Sequence, residues 1–271
     1  MARCDWSDLP ADVREAVQEH TGVVSRAVPA KTGEHSDIAA ALHTPSGRVF
    51  VKGARTCTEG PDLWSLRREA LINPHVTQYA PRLLWEVEAG GWLMLGFEYV
   101  EARHADYTPG SADLPVLAKI VDAFQSMPCP DVVTRRVETH WADFTDDVSP
   151  MAGTSMLHMD LNPANLLFTS DDRVYVIDWG FARRGAAWVE LATLIQWLTI
   201  NGHSPQQAEE WVGQFPAWRA VVPAVLDLFA DANAARWRSL TADDPPSWAV
   251  TLAEHTQSWA EYRQPRRTGP P

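Results

Sequence analysis

The stretch LHMDLNPANLLFTSDDRVYVIDWG, residues 157 to 180, sets Asp160, Asn165 and Asp178 within one short run. Two carboxylates and a carboxamide supply oxygen ligands for a hard cation. One carboxylate with one amide carbonyl is a usual protein share of an Mg²⁺ site that waters and substrate phosphates complete. Leu166 to Phe168 are apolar, Thr169 to Asp172 are turn formers, and Val174 to Ile177 are β-branched or aromatic, a pattern that predicts a β-hairpin. Its midpoint falls between Asp171 and Asp172, so Asn165 and Asp178 are expected to face each other at the open end.

The elements that must position these groups are legible upstream. Leu9, Val13 and Val17 recur at helical spacing, with Pro10 near the start and Gly22 past the end, which predicts an amphipathic helix over 8–21. Residues 37–44 and 48–55 read as a hairpin about the turn 45–47, and strict alternation sets Phe50 and Lys52 on one face, Val49 and Val51 on the other. A helix is expected over 61–73, started by Pro61 and stopped by Asn73-Pro74, with Leu63, Leu66 and Ala70 as its buried stripe and Glu69 at the border. A second hairpin, 82–100, turns at Ala89-Gly90-Gly91. Residues 101–115 are polar and turn-forming and read as a linker. Helices follow over 114–127, 187–200, 205–214, 217–238 and 247–262. These divisions give a lobe over 1–100, a second over 101–262, and a mobile tail over 263–271.

Composition narrows the function classes. A chain of 271 residues, 45% hydrophobic and 21% charged, can bury a sizeable core. Cys4, Cys57 and Cys129 are odd in number and widely spaced, so neither a disulfide framework nor a zinc site is expected and a reducing cytoplasm fits. The N-terminal stretch MARCDWSDLPADV lacks an apolar signal core, and runs such as 92–97 are far short of a membrane span. A net charge of -12 argues against nucleic acid as a partner, since phosphate backbones are held by Lys and Arg. No membrane association is expected, and the oligomeric state is open.

LHMDLNPANLLF resembles the HxDxxxxN catalytic loop of protein-kinase-like phosphotransferases, and IDWG (177–180) resembles their DFG metal segment with Trp179 in place of Phe. An HxD triplet alone is weak, because His158 and Asp160 can simply brace a turn; the order Lys52, Glu69, hinge, Asp160, Asn165, Asp178 makes the signal specific. From about Val23 to Trp197 the chain is similar to the aminoglycoside phosphotransferase family. The resemblance implies an α+β, protein-kinase-like, two-lobed fold: a small antiparallel-sheet lobe with helices that binds nucleotide, and a larger, mainly helical lobe for catalysis and substrate. It implies Asp160 as the catalytic carboxylate, Asn165 and Asp178 as Mg²⁺ ligands, and Lys52 on the α- and β-phosphates, paired with Glu69. His158 is expected to be structural. The hinge Glu98-Tyr99-Val100 would meet the base through the Glu98 carbonyl and the Val100 amide, backbone contacts that leave ATP or GTP open. The implied reaction moves a γ-phosphoryl group to a hydroxyl of a small molecule, foremost an antibiotic, either a nucleoside of the capuramycin type or an aminoglycoside. A metabolic kinase for choline, homoserine or a sugar is the alternative, and a catalytically dead nucleotide-binding module is a more distant one.

Three departures accompany the likeness. Where a phosphate-covering loop belongs, 31–42 holds one glycine, Gly33, so phosphate contacts there would fall to backbone amides and Ser36. Little room for an activation segment is left after Gly180, which argues against a protein kinase. Where many relatives carry an aspartate in the following helix, this chain offers Glu190. The acceptor is expected to meet residues 101–150 and the helices after 185. There, nine of the 13 tryptophans lie at or beyond Trp141, among them Trp188, Trp197 and Trp211, and most are expected to be core with a minority lining a pocket. Asp143, Asp146, Asp147, Glu209 and Glu210 read first as a solvated face and second as an attractor of ammonium groups.

Overall fold

The structure, a computed structural model, describes residues 4–30, 36–57, 60–242 and 244–267. In chain order the elements begin with α1 (Ala11–Thr21), β1 (Arg26–Pro29), β2 (Ile38–Thr44), β3 (Gly47–Arg55), α2 (Pro61–Ile72), β4 (Leu83–Ala89), β5 (Trp92–Glu98) and β6 (Ala102–His104). They continue with α3 (Leu114–Ser126), β7 (Ser155–Leu157), β8 (Leu166–Thr169), β9 (Val174–Val176) and β10 (Arg183–Gly185). The chain then passes through α4 (Ala187–Ile200), α5 (Pro205–Val212), α6 (Pro216–Arg219), α7 (Pro223–Ser239) and α8 (Ser247–Arg267). Two compact units result, one from Met1–Ala105 with Ala164–Phe181, the other from Asp106–Pro163 with Ala182–Pro271.

In the first unit an antiparallel sheet of order β1-β2-β3-β5-β4 is covered on both faces. The alternation of β5 shows how: Trp92 and Met94 join α1 residues Val13 and Val17 in one core cluster. Leu93, Leu95 and Phe97 join Leu63, Leu66 and Ala70 of α2 in another. Because side chains alternate along a strand, Val49 and Val51 of β3 go to the α1 side, and Lys52 is turned toward the α2 side. α2 starts as expected, with Pro61 in its first turn, where a missing N–H costs nothing. A smaller sheet, β6-β8-β9, belongs to the same unit. Its β6 corrects the reading of 101–115 as wholly linker: Ala102 to His104 pair with Leu167 to Thr169, a partner too distant in sequence for local composition to reveal.

The second unit is mainly helical. Residues 188 to 196 of α4 are all buried, which explains a helix that is apolar on every side. The expected helix over 217–238 is two, α6 and α7, because Pro223 lacks the N–H to continue a helix and instead opens α7. α8 runs to Arg267, beyond the expected end at 262, and residues 268–271 lie outside the described residues. Phe229 stands at the centre of an aromatic cluster, with ring centroids 4.7 Å from Trp141, 5.3 Å from Trp188 and 6.2 Å from Trp259. The indole N–H of Trp141 donates to Asn233 Oδ1 at 3.3 Å, and the Asn233 amide donates to Gln196 Oε1 at 3.2 Å, so the buried polar atoms are satisfied in series. Among the described residues no helix is long and apolar enough to cross a membrane.

Glu209 corrects the surface reading made for it. It is 8% exposed and accepts from Trp259 Nε1 at 2.8 Å and from the Arg263 guanidinium, which also donates to Asp227 at 2.7 Å. Breaking a buried ion pair by removing one partner strands a desolvated charge, at about 3–5 kcal/mol. Glu209→Ala is therefore expected to lower the unfolding free energy by about 3 kcal/mol, and the exposed neighbour Glu210→Ala by less than about 0.5 kcal/mol. Urea unfolding followed by tryptophan fluorescence measures both, and equal midpoints for the two variants would contradict the assignment.

Candidate active site

Three of the expected site residues meet in the first unit. Lys52 Nζ donates to both carboxylate oxygens of Glu69 at 2.9 Å and to Asp178 Oδ1 at 3.2 Å. A strand, a helix and a turn each supply one of them, and the lysine reaches inward because β3 alternation points it at α2. Its side chain is 13% exposed and that of Glu69 is 7% exposed, so solvent does little to weaken their attraction. Burial pulls the Lys52 pKa down, but the Asp178 and Glu69 carboxylates outweigh it and the net shift is upward. Burial also raises Glu69, against the lowering effect of Lys52. The ammonium is thus held charged between two acids, with the Asp178 side chain the more open of them at 23% exposed.

The hairpin that carries Asn165 and Asp178 forms, but its register differs from the expected one. Leu166 pairs with Val176 and Phe168 with Val174, and the Ile177 N–H donates to the Asn165 carbonyl at 2.9 Å. Asn165 therefore faces Ile177, and Asp178 lies one residue beyond the pair. The cause is the turn, which closes at Thr169 and Arg173 over three residues, Ser170 to Asp172, with Asp172 in the left-handed region at φ 62°. Asp178 is itself left-handed, at φ 70°. Asn165 is buried at the end of a 3₁₀ turn, and the Trp179 indole, 1% exposed, donates to the Val176 carbonyl at 2.9 Å.

Asp160 belongs to the second unit, on a loop whose shape is held from several sides. Glu190 of α4, 4% exposed, accepts the backbone N–H of His158 and that of Met159, the latter at 3.0 Å. Met159 is left-handed, with φ 72°, a conformation costly for its side chain and paid for here by those hydrogen bonds. Fully buried His158 accepts the Asp160 N–H on Nδ1 at 3.2 Å, which is the structural role expected of it. The Asn162 amide donates to Asp160 Oδ1 at 2.9 Å, orienting the carboxylate. Tyr107 ties down the far end, its hydroxyl donating to the Leu161 carbonyl at 3.2 Å. Burial, then Asp160, Asp113 and Glu190, push its pKa well above the usual range, so it stays a donor.

The remaining expected residues are placed as follows. Ser36 is buried just before β2, whereas Gly33 and the rest of 31–35 lie outside the described residues. Glu98 ends β5 with its N–H on the Arg82 carbonyl at 2.9 Å and its carboxylate on Arg82 Nε at 2.8 Å, while Val100 follows the strand. Tyr107, Asn162 and the anchoring contact of Glu190 were not legible from spacing, because each depends on which backbone groups the fold leaves unpaired.

Burial raises the Glu190 pKa to about 7, against the lowering effect of the His158 and Met159 N–H groups. A carboxyl raised in the folded state binds more protons folded than unfolded between its ordinary value and about 7, so stability falls as pH rises through that window. Glu190→Gln keeps an acceptor and removes the titration. The unfolding free energy of the wild-type protein relative to this variant is expected to decline from pH 4.5 to 7, by an amount on the order of 3 kcal/mol. Chemical denaturation across that range tests it, and parallel curves would contradict it.

Residues 128–224 match the model of the phosphotransferase enzyme family. No curated protein matches the chain in sequence. Among solved structures, choline kinase LicA from Streptococcus pneumoniae superposes with a TM-score of 0.64 at 16% identity, over 92% of this chain and 98% of that one. LicA in complex with AMP gives 0.62 at 15% identity, over 92% and 97%. A thermostable mutant of aminoglycoside phosphotransferase APH(4)-Ia, in a ternary complex with AMP-PNP and hygromycin B, gives 0.64 at 16% identity, over 96% and 100%. Identities this low speak for the fold, which is the expected protein-kinase-like α+β architecture. The matched segment covers residues 128–224 of the chain and is similar to the phosphotransferase enzyme family.

Proposed function

We propose that this protein moves the γ-phosphoryl group of ATP or GTP to a hydroxyl of a small molecule. The observation that carries the reading is the buried Lys52 ammonium held between Glu69 and Asp178, because it joins a strand, a helix and the turn after the hairpin in one charged group. Lys52 would bind the α- and β-phosphates, with Glu69 fixing its direction and neutralising it while the site is empty. Asn165 and Asp178 fit a share of an Mg²⁺ site, since both offer hard oxygen donors and Asp178 is partly open. When bound, the ion would neutralise charge on the phosphate oxygens. Asp160, oriented by Asn162, would accept the proton of the attacking hydroxyl as the new oxygen–phosphorus bond forms and the bond to the leaving diphosphate breaks. Glu98 and Val100 would meet the base through the backbone, and Ser36 would lie near the phosphates. Phe50, half-buried and two residues before Lys52 on the same face of β3, is suited to stack on the base.

For the acceptor we read an antibiotic, with a metabolic alcohol as the alternative. Of the tryptophans that would support a neutral nucleoside, Trp141, Trp188, Trp218 and Trp259 are buried in packing, whereas Trp197, Trp211 and Trp237 are half-buried and Trp248 is exposed. An open hollow of about 710 Å³ in the second unit carries Asp146 and Asp231 on its wall beside Phe144, which supports a cationic acceptor, while Asp227 on the same wall is engaged by Arg263. An aminoglycoside and a choline-like amine both answer to that chemistry.

Asp178→Ala is expected to abolish Mg²⁺-dependent turnover while leaving the far-ultraviolet circular dichroism unchanged; near-normal turnover would remove the metal assignment. Asp160→Asn should lower kcat by about 10²–10⁴-fold with little change in nucleotide affinity. An equal loss in both would make Asp160 structural. A phosphorylation screen of hydroxylated antibiotics and amino alcohols with ATP and with GTP, read by mass spectrometry, identifies the acceptor. For a cationic acceptor KM should rise steeply with salt, surface attraction being screened over about 10 Å at 0.1 M. A salt-independent KM would point to a neutral one.

A further inference from the structure

On the phosphotransferase reading, Asp178 has to present its carboxylate from φ 70°, a conformation that non-glycine residues rarely adopt. A residue so placed persists only where its surroundings over-determine it. Those surroundings lie on one face of α2. Ser65, Arg68 and Glu69, at i, i+3 and i+4, share that face. Ser65 sits against Gly180 so closely that an added Cβ there would lie 2.6 Å from the Ser65 carbonyl oxygen, which is why glycine is required. Arg68 Nε donates to the Gly180 carbonyl at 2.9 Å. Trp64, one turn before Arg68, meets Phe181 edge to face at 5.3 Å between centroids.

We propose that Arg68 is a positioning residue for the proposed metal carboxylate: from the same turn of α2 that holds Lys52 through Glu69, it fixes the turn Asp178–Phe181 by its carbonyl at Gly180. The Trp179 indole, bonded to the Val176 carbonyl at 2.9 Å, closes the other side. The two ties oppose a specific relaxation. Asp178 Oδ1 already accepts from the Lys52 ammonium at 3.2 Å, and a loosened turn would give up the fixed position from which its carboxylate could meet a metal as well. Arg68 and Glu69, adjacent in sequence, thus set both ends of that separation. A charge-assisted hydrogen bond to a partly buried carbonyl is strong enough to hold the turn.

The test uses Arg68→Met and Arg68→Lys in the whole chain, with two readouts. The first is hydrogen–deuterium exchange of amides 177–181 in the nucleotide-free protein, with the β4–β5 hairpin as control. The second is calorimetric affinity for a non-hydrolysable ATP or GTP analogue with and without Mg²⁺. Arg68→Met is expected to speed exchange at 177–181 by about tenfold or more, leave β4–β5 unchanged, and weaken the Mg²⁺-bound analogue while the metal-free affinity stays put. Arg68→Lys, which keeps a charged donor, should recover part of both effects. Unchanged exchange at 177–181, or equal weakening with and without Mg²⁺, overturns the proposal. If wild-type affinity does not respond to Mg²⁺ at all, the phosphotransferase reading fails, and the exchange measurement still decides whether Arg68 holds the turn.

Discussion

An ammonium group taken out of water is affordable only beside anions, and Lys52 has two, Glu69 and Asp178. That constraint orders the first unit. The strand β3 must run with Val49 and Val51 toward α1, so that Lys52 faces α2. The helix must present Glu69 at the lysine's height, and the turn after β9 must bring Asp178 to the same point. Each core cluster then has a second purpose. The contacts of Leu63, Leu66 and Ala70 with Leu93, Leu95 and Phe97 fix α2 against the sheet, and with it the position of Glu69.

The second unit solves a different problem, a loop held in an unfavourable backbone shape. Met159 at φ 72° is held by a buried carboxylate that reaches it from α4, and Tyr107 and His158 hold the residues around it. Glu190 accepts two successive N–H groups. The same unit spends much of its aromatic surface on packing about Phe229 and closes α8 onto the bundle through Arg263, Glu209 and Asp227. Trp197, Trp211 and Trp237 stay half-buried and Trp248 exposed, and the carboxylates of Asp146 and Asp231 remain on the wall of the open hollow.

Local pattern was enough for much of this. Periodicity located α1, α2, the β2–β3 and β4–β5 hairpins, α3, α4 and α5, and alternation put Lys52 on the right face of β3, because side-chain direction follows from backbone repeat alone. The order of Lys52, Glu69, Asp160, Asn165 and Asp178 carried the resemblance, since a site built from several elements leaves its residues at characteristic intervals. The break before α7 was also written locally, in Pro223, and was masked by the apolar positions on either side of it.

Tertiary structure decided the rest. The hairpin register shifted by one residue because the turn adopted three residues with Asp172 left-handed, a choice that pairing energies settle across the strands. β6 exists only because β8 offers it a partner more than sixty residues away. Glu209 and Glu210 are indistinguishable in sequence, yet one is buried on Arg263 and the other is exposed, since a helix face becomes interior only when α8 packs against it. Arg68, Tyr107 and Asn162 gain their roles by reaching particular backbone carbonyls or a carboxylate. Sequence determines what each side chain can donate or accept, but which groups are left within its reach is a property of the folded chain.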